Sequence, residues 1–251
     1  MNISNYKKLN IFDLFIFNSN KMVFYSLIRT LACSGKPAVI VTPNVDHYVR
    51  ISKSTTIKEL YSSADFCIND SRVMAILVKV ILNKNISVIT GSDITSMILR
   101  RGDFTSFKIL IVGAPDPMFS QIHQGLNSMN TNISHVCPSF GFIDKPDEVD
   151  SISDIIVQEN ADILFLALGS PQQEFLAHFI KPRLKKGIIL CVGASIDYLT
   201  GKEKRAPKFI QAMYLEWLFR FAQSPIKRFR RYFINCPQII YYLLRERFLS
   251  K

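Results

Sequence analysis

Apolar residues along this chain gather in short unbroken runs separated by polar, periodic stretches. The runs are "PAVIVT" (Pro37–Thr42), "DFCIN" (Asp65–Asn69), "ISVIT" (Ile86–Thr90), "KILIVG" (Lys108–Gly113), "ISHVC" (Ile133–Cys137), "DILFLAL" (Asp162–Leu168) and "GIILCVG" (Gly187–Gly193). Each has the length of a strand, and none alternates with polar residues, as expected where both faces of a sheet are covered. Helical spacing fills several gaps: Ile57–Ser63, Arg72–Leu82, Ile94–Arg100, Met118–Met129 and Gln172–Leu184. Strand and helix in alternation predict an α/β fold with a largely parallel sheet. The segment "NIFDLFIF", before Lys36, fits either an edge strand or a packing helix.

Ligands of open α/β sheets bind outside the carboxyl ends of the strands. Those ends read "TPNVDH" (Thr42–His47), "NDSR" (Asn69–Arg72), "TGSD" (Thr90–Asp93), "GAPDP" (Gly113–Pro117), "GSPQQE" (Gly169–Glu174) and "GASIDY" (Gly193–Tyr198). Small residues admit a ligand to the backbone, and helix N-termini offer unpaired N–H groups to phosphate. Together they suggest a phosphate-bearing ligand, although any single glycine after a strand is more often a plain turn. The chain has neither a G-x-G-x-x-G nor a G-x-x-x-x-G-K-[ST] motif, which argues against ordinary dinucleotide or P-loop binding.

Charge changes the picture at the C-terminal end. The net charge is +11, and from Lys202 to Lys251 twelve Lys/Arg stand against three Glu. There "PIKRFRRYFINCPQIIYYLLRERF" mixes cations with Phe229, Tyr232, Phe233, Ile239, Tyr241, Tyr242 and Leu243. Such a segment suits an anionic lipid surface, ordinary helical packing or single-stranded nucleic acid. No run reaches the ~18–20 apolar residues of a membrane span, since Lys79 and Lys84 interrupt the nearest one. The amino terminus lacks the plan of a signal peptide, so a cytoplasmic location is expected. Five scattered cysteines without a C-x-x-C pair, three of them inside apolar runs, read as buried reduced thiols rather than disulfides or metal ligands.

In order and spacing, "TPN", the Asp after the second strand, "TGSD", "GSPQQE", "GASIDYLTGKEKRAP" and "YLEWLFRFAQSP" resemble the WecG/TagA/CpsF family of bacterial glycosyltransferases. The resemblance runs from about Thr42 to Tyr232. Its most specific part is G-x-P-x-Q-E followed by D-x-x-x-G-x-x-x-R-A-P and L-E-W-x-x-R. It implies a Rossmann-like core over 1–200 and a basic, helical, membrane-associating appendage over 201–251. The implied activity is inverting transfer of a sugar from a UDP-sugar to a saccharide on a polyprenyl (undecaprenyl) diphosphate, in surface polysaccharide synthesis. The implied setting is the inner face of the cell membrane, with an anionic lipid surface and no nucleic acid as partner; a homo-oligomer stays open.

The resemblance also assigns roles. Asp70 takes the place of the base that removes the proton of the attacking hydroxyl. Read without the family, Asp70 is more simply a helix cap, and its pKa needs no large rise. Thr42 and Asn44 match a turn that holds donor or acceptor, although an Asx turn explains them as well. Donor or acceptor contacts are further expected at Arg72, Thr90, Gly91, Asp93, Gly113, Gly169, Gln173, Gly193, Asp197 and Arg205. For Asp93 and Arg205 the plainer readings are a helix cap and a salt bridge.

Many nucleotide-sugar transferases hold a metal through D-x-D. This chain has none, and His47, His123, His135 and His178 are isolated. No metal or other cofactor is therefore expected, and diphosphate charge falls to Arg220, Lys227, Arg228, Arg230 and Arg231, some of which would meet lipid phosphates instead. Three positions depart from the family pattern: Ser71 replaces the glycine after the base, Val88 replaces an arginine, and Lys227 replaces an arginine after Pro225. The rival reading is a non-catalytic α/β module that binds RNA or anionic lipid through its tail. It leaves Asp70, Gln173 and Asp197 without a task.

Overall fold

The structure, a computed structural model, describes residues 6–100, 102–125, 132–198, 206–207, 209–210, 213 and 215–249. Eight strands form one sheet: β1 (Lys8–Ile11), β2 (Leu14–Phe17), β3 (Ala38–Val41), β4 (Phe66–Cys67), β5 (Ile109–Val112), β6 (Ile133–Val136), β7 (Ile163–Leu166) and β8 (Ile188–Cys191). Their spatial order is β1-β2-β4-β3-β8-β7-β5-β6. Every neighbouring pair is parallel except β1 with β2. "NIFDLFIF" is thus a hairpin, reversed where Phe12 and Asp13 both take positive φ (57° and 59°). Two such residues make the tight turn whose twist matches paired strands.

Within the uniformly apolar strands, successive side chains point to opposite faces. Val39, Val41, Leu110, Val112, Leu164, Leu166, Ile189 and Cys191 enter one buried cluster. Ala38, Ile40, Ile109, Ile111, Ile163, Phe165, Ile188 and Leu190 enter the other. The first is covered by α2 (Val45–Lys53), α3 (Thr55–Ser62), α4 (Arg72–Leu82), α7 (Pro146–Glu159) and α8 (Gln172–Ile180). The second lies under α1 (Lys21–Ala32), α5 (Gly91–Arg100) and α6 (Asp116–Gly125). Helices on both faces of a largely parallel sheet are the expected architecture.

One expected strand does not form. Ile86–Thr90 is no strand of the sheet; its Ile89 N–H donates to Asn69 O (3.1 Å) in the loop after β4. Asparagine side chains take the neighbouring backbone groups instead. Asn18 Oδ1 accepts from Ser87 N–H (2.8 Å), and Asn69 Nδ2 donates to Ser87 O (3.2 Å). The five cysteines are free, but the expectation that they are buried holds only for Cys67 and Cys191; Cys236 is half-buried, and Cys33 and Cys137, which follow α1 and β6, are exposed.

The tail comprises α9 (Glu216–Gln223), α10 (Pro225–Phe229), a π-helical stretch (Arg230–Asn235) and α11 (Gln238–Leu249). Its last helix is built into the core. Ile239 and Leu243 are buried in the first cluster, against α4 and α2, and Glu246 Oε1 accepts from Phe12 N–H (3.1 Å). The outward side of the tail differs: Ile226, Phe229, Phe233, Ile234, Tyr241 and Phe248 are exposed among Arg228, Arg230, Arg245 and Arg247. Among the described residues no helix is long and apolar enough to cross a membrane.

Candidate active site

Adjacent strands β4, β3 and β8 end on the same edge of the sheet. Asn69, fully buried, fastens the loop after β4, its Nδ2 donating to Ser71 O (3.0 Å) as well as to Ser87 O. The cap of α4 is Ser71, whose hydroxyl accepts from Met74 N–H (3.1 Å). That removes the plainest explanation of Asp70. Its carboxylate does not close the helix; it is half-buried in the wall of a cavity of about 400 Å³.

Burial pushes the Asp70 pKa up to about 7, further than sequence reasoning required. Arg220 and the Gly91 backbone N–H, which donates to the carboxylate, pull it down, whereas Glu216 and Asp93 add to the rise. A carboxylate balanced near neutrality is both available and basic enough to accept a proton. Arg72, Arg220 and Arg231 line the same cavity, with Asn44, Asp46, Thr90, Ser195, Glu216, Trp217 and Tyr232. A carboxylate with its pKa near neutrality beside three guanidinium groups can deprotonate a hydroxyl and bind phosphate oxygens in one chamber.

Of the residues expected from sequence, the cavity brings together Asn44, Asp70, Arg72, Thr90, Arg220 and Arg231. Asn44 caps α2, its Oδ1 accepting from Asp46 N–H and His47 N–H, and it also receives Arg231 Nη2 (3.1 Å). Thr90 and Asp93 form a reciprocal cap on α5: Asp93 N–H donates to Thr90 Oγ1 (3.1 Å) and Thr90 N–H to Asp93 Oδ2 (3.4 Å). Asp93 is also paired with Lys21 at 2.7 Å.

Others lie beneath the site. Thr42 is buried and donates to Cys191 O (2.8 Å), joining β3 to β8. A Cβ at Gly91 would meet Ser195 Oγ at 2.5 Å and Val192 O at 3.2 Å, so a side chain there would displace Ser195. Gln173 is buried with both amide ends engaged: Oε1 accepts from Gly193 N–H (2.9 Å) and Nε2 donates to Glu174 Oε1 (2.8 Å). Gly169 opens the turn into α8 with positive φ (78°). Gly113 faces Ala167 O in the close approach of β5 to β7, away from the cavity-lining residues. Asp197 is half-buried in the short helical segment Gly193–Tyr198, two residues beyond Ser195. Arg228 Nη1 donates to Arg220 O, and Arg230 is exposed. Arg205 and the side chain of Lys227 lie outside the described residues.

Sequence reasoning missed Asp46, Glu216, Trp217 and Tyr232 as cavity residues. Glu216 and Trp217 stand inside the L-E-W-x-x-R motif beside Arg220, so the signal was present without a role attached to it. Tyr48 was also unmarked; its buried hydroxyl has no partner among the described residues and feels the charge of Asp70.

The fold and this edge define an α/β protein that gathers an acid and three arginines in one cavity beyond the strand ends. The model of the glycosyl transferase WecG/TagA/CpsF family matches residues 9–251, and the chain belongs to that family. It is 28% identical over 220 residues, covering 88% of this chain and 84% of the relative, to an N-acetylglucosaminyldiphosphoundecaprenol N-acetyl-beta-D-mannosaminyltransferase of Bacillus spizizenii. The expected family and fold class are thereby shown, and the chain is a glycosyltransferase of polysaccharide biosynthesis.

Proposed function

We propose that this glycosyltransferase moves a sugar, with inversion, from a UDP-sugar to a saccharide carried on undecaprenyl diphosphate. The observation that carries this reading is Asp70, released from capping by Ser71 and facing a cavity walled by Arg72, Arg220 and Arg231. Ionised Asp70 accepts the proton of the acceptor hydroxyl as its oxygen attacks the anomeric carbon. The bond from that carbon to the diphosphate breaks on the opposite face, and the departing UDP carries away the electron pair. Arginines steady the growing phosphate charge in place of a metal, so transfer should persist in chelator. Among the described residues no group of three or more His, Cys, Asp or Glu is placed to hold a metal ion.

The named relative acts on a lipid-linked diphosphate sugar, which supports the same class of acceptor here. The outward side of the tail supports peripheral binding at an anionic membrane, because exposed apolar side chains alternate with arginines. Deleting everything from Ile226 onward would be a poor test of that role, since it also strips Ile239 and Leu243 from the core. A screen of UDP-sugars against a short-chain polyprenyl diphosphate N-acetylglucosamine acceptor tests the function, with Asp70→Asn as control. One donor should be turned over by wild type and not by the variant; turnover of none, or equal turnover by both, contradicts the proposal.

A further inference from the structure

The crowded "GSPQQE" loop is separated from the cavity, yet a continuous line of polar side chains joins the two. Tyr61 OH lies 2.8 Å from Glu174 Oε1, 3.1 Å from Ser170 Oγ and 3.1 Å from His47 Nδ1. His47 Nε2 is 3.4 Å from Asn44 Nδ2, and Asn44 Oδ1 receives Arg231 Nη2 at 3.1 Å. These residues come from α8, α3, α2 and the π-helical stretch of the tail, so the line spans the core and the tail.

Donor and acceptor chemistry gives the line a direction. A carboxylate only accepts, so the single Tyr61 proton goes to Glu174. The phenol oxygen must then accept from its other two neighbours, which places the His47 proton on Nδ1. His47 Nε2 is left as an acceptor, and the neighbour able to donate to it is the Asn44 amide nitrogen. The same orientation lets the amide oxygen of Asn44 cap α2, accepting from Asp46 N–H and His47 N–H, while it meets Arg231 of the tail. A reversed amide would set an NH₂ group against a guanidinium, donor against donor. Burial, with Arg50 and Arg231 nearby, holds the His47 pKa well below its usual value and keeps the ring neutral. The Tyr61 pKa is raised by burial and by Glu174, which keeps the phenol a donor.

We infer that Glu174, Tyr61 and His47 are positioning residues that brace the Asn44 amide in its capping orientation and thereby latch Arg231 of the tail over the active-site cavity. The functional consequence rests on the reading of Arg231 as a ligand for diphosphate. The latch itself rests on the hydrogen-bond line, with a longer contact from Arg231 Nε to Asp46 Oδ2 (3.8 Å) beside it. It also accounts for the acid of the loop: Glu174 sets the polarity of a relay that ends beside the chemistry, without touching substrate.

A double-mutant cycle with an optical readout tests this. Trp217 is the single tryptophan of the chain and lines the cavity from the tail, so its emission reports tail docking without any need for substrate. Tyr61→Phe keeps the ring and deletes the hydroxyl. The variant should shift Trp217 emission toward that of Arg231→Ala and lower kcat/KM about 5–20-fold. In an Arg231→Ala background, Tyr61→Phe should have no further effect. A merely structural tyrosine would instead give penalties that multiply, and that result, or unchanged emission in Tyr61→Phe, overturns the latch. If Tyr61→Phe does not fold, His47→Leu cuts the same line and is read in the same way. Should Arg231→Ala alone retain full transfer while the emission shift persists, the diphosphate role of Arg231 fails and the latch stands.

Discussion

Two polar turns at the same sheet edge, "NDSR" after β4 and "GSPQQE" after β7, are equally rich in groups that bind ligands, and the structure uses them in opposite ways. In the first, Ser71 and Asn69 satisfy the backbone and leave Asp70 facing a cavity. In the second, the amide and the acid turn inward, Gln173 to Gly193 and Glu174 to Tyr61. Burial acts on both, but only the first keeps an acid beside open space and arginines. Polar surplus at a strand end therefore marks either a reacting group or the scaffold that positions one. What separates the two is which neighbour takes the backbone's hydrogen bonds.

The contrast can be broken most severely at Asp70. Asp70→Asn preserves shape and removes the base, so transfer should fall roughly 10²–10⁴-fold while the far-UV spectrum stays unchanged. Next comes Arg220→Ala, which removes a cation beside Asp70 and, on the proposed mechanism, a ligand of the diphosphate. At about 1.5–3 kcal/mol for a charged hydrogen bond, kcat/KM should drop about 10–100-fold. For the inward turn the expectation reverses: Gln173→Ala strips a buried partner from Gly193 N–H, so stability falls by about 1–3 kcal/mol in urea melts and measurable turnover remains. The smallest effect belongs to the outward side of the tail. Ile226, 94% exposed, can become Ser with stability unchanged within about 0.5 kcal/mol. Binding to anionic vesicles should weaken severalfold, as read by co-sedimentation.

The sheet was legible because seven apolar runs stood apart, and six of them are strands of the structure. The seventh, Ile86–Thr90, was not, since Asn18 and Asn69 make its bonds from a distance in sequence that no periodicity reveals. Helix α2 escaped notice because its buried Tyr48, Val49 and Ile51 are interspersed with His47, Arg50 and Ser52. Asp70 and the arginines were visible through motif order. That Glu216 and Trp217 would share their cavity depended on how the tail folds back, which spacing along the chain does not encode. Nor does it encode the inward turn of Gln173, fixed by a glycine twenty residues later.

Asp70 holds the account together, and its titration is the sharpest probe. A folded pKa raised to about 7 means that the protonated form is favoured in the native state. That contribution to stability is complete below the ordinary carboxylate range and is lost as pH rises through 7. The base works only when ionised, so activity should rise through 7 as the stability loss, which runs from the ordinary carboxylate range up to 7, levels off. The direct measurement is kcat/KM of wild type between pH 5 and 9, with thermal melts of wild type and Asp70→Asn over the same range. The account predicts activity rising with an apparent pKa near 7, and an Asn variant whose advantage in melting temperature grows from pH 5 to about 7 and is constant above it. A flat profile, or an Asp70→Asn enzyme that keeps wild-type transfer, would contradict it.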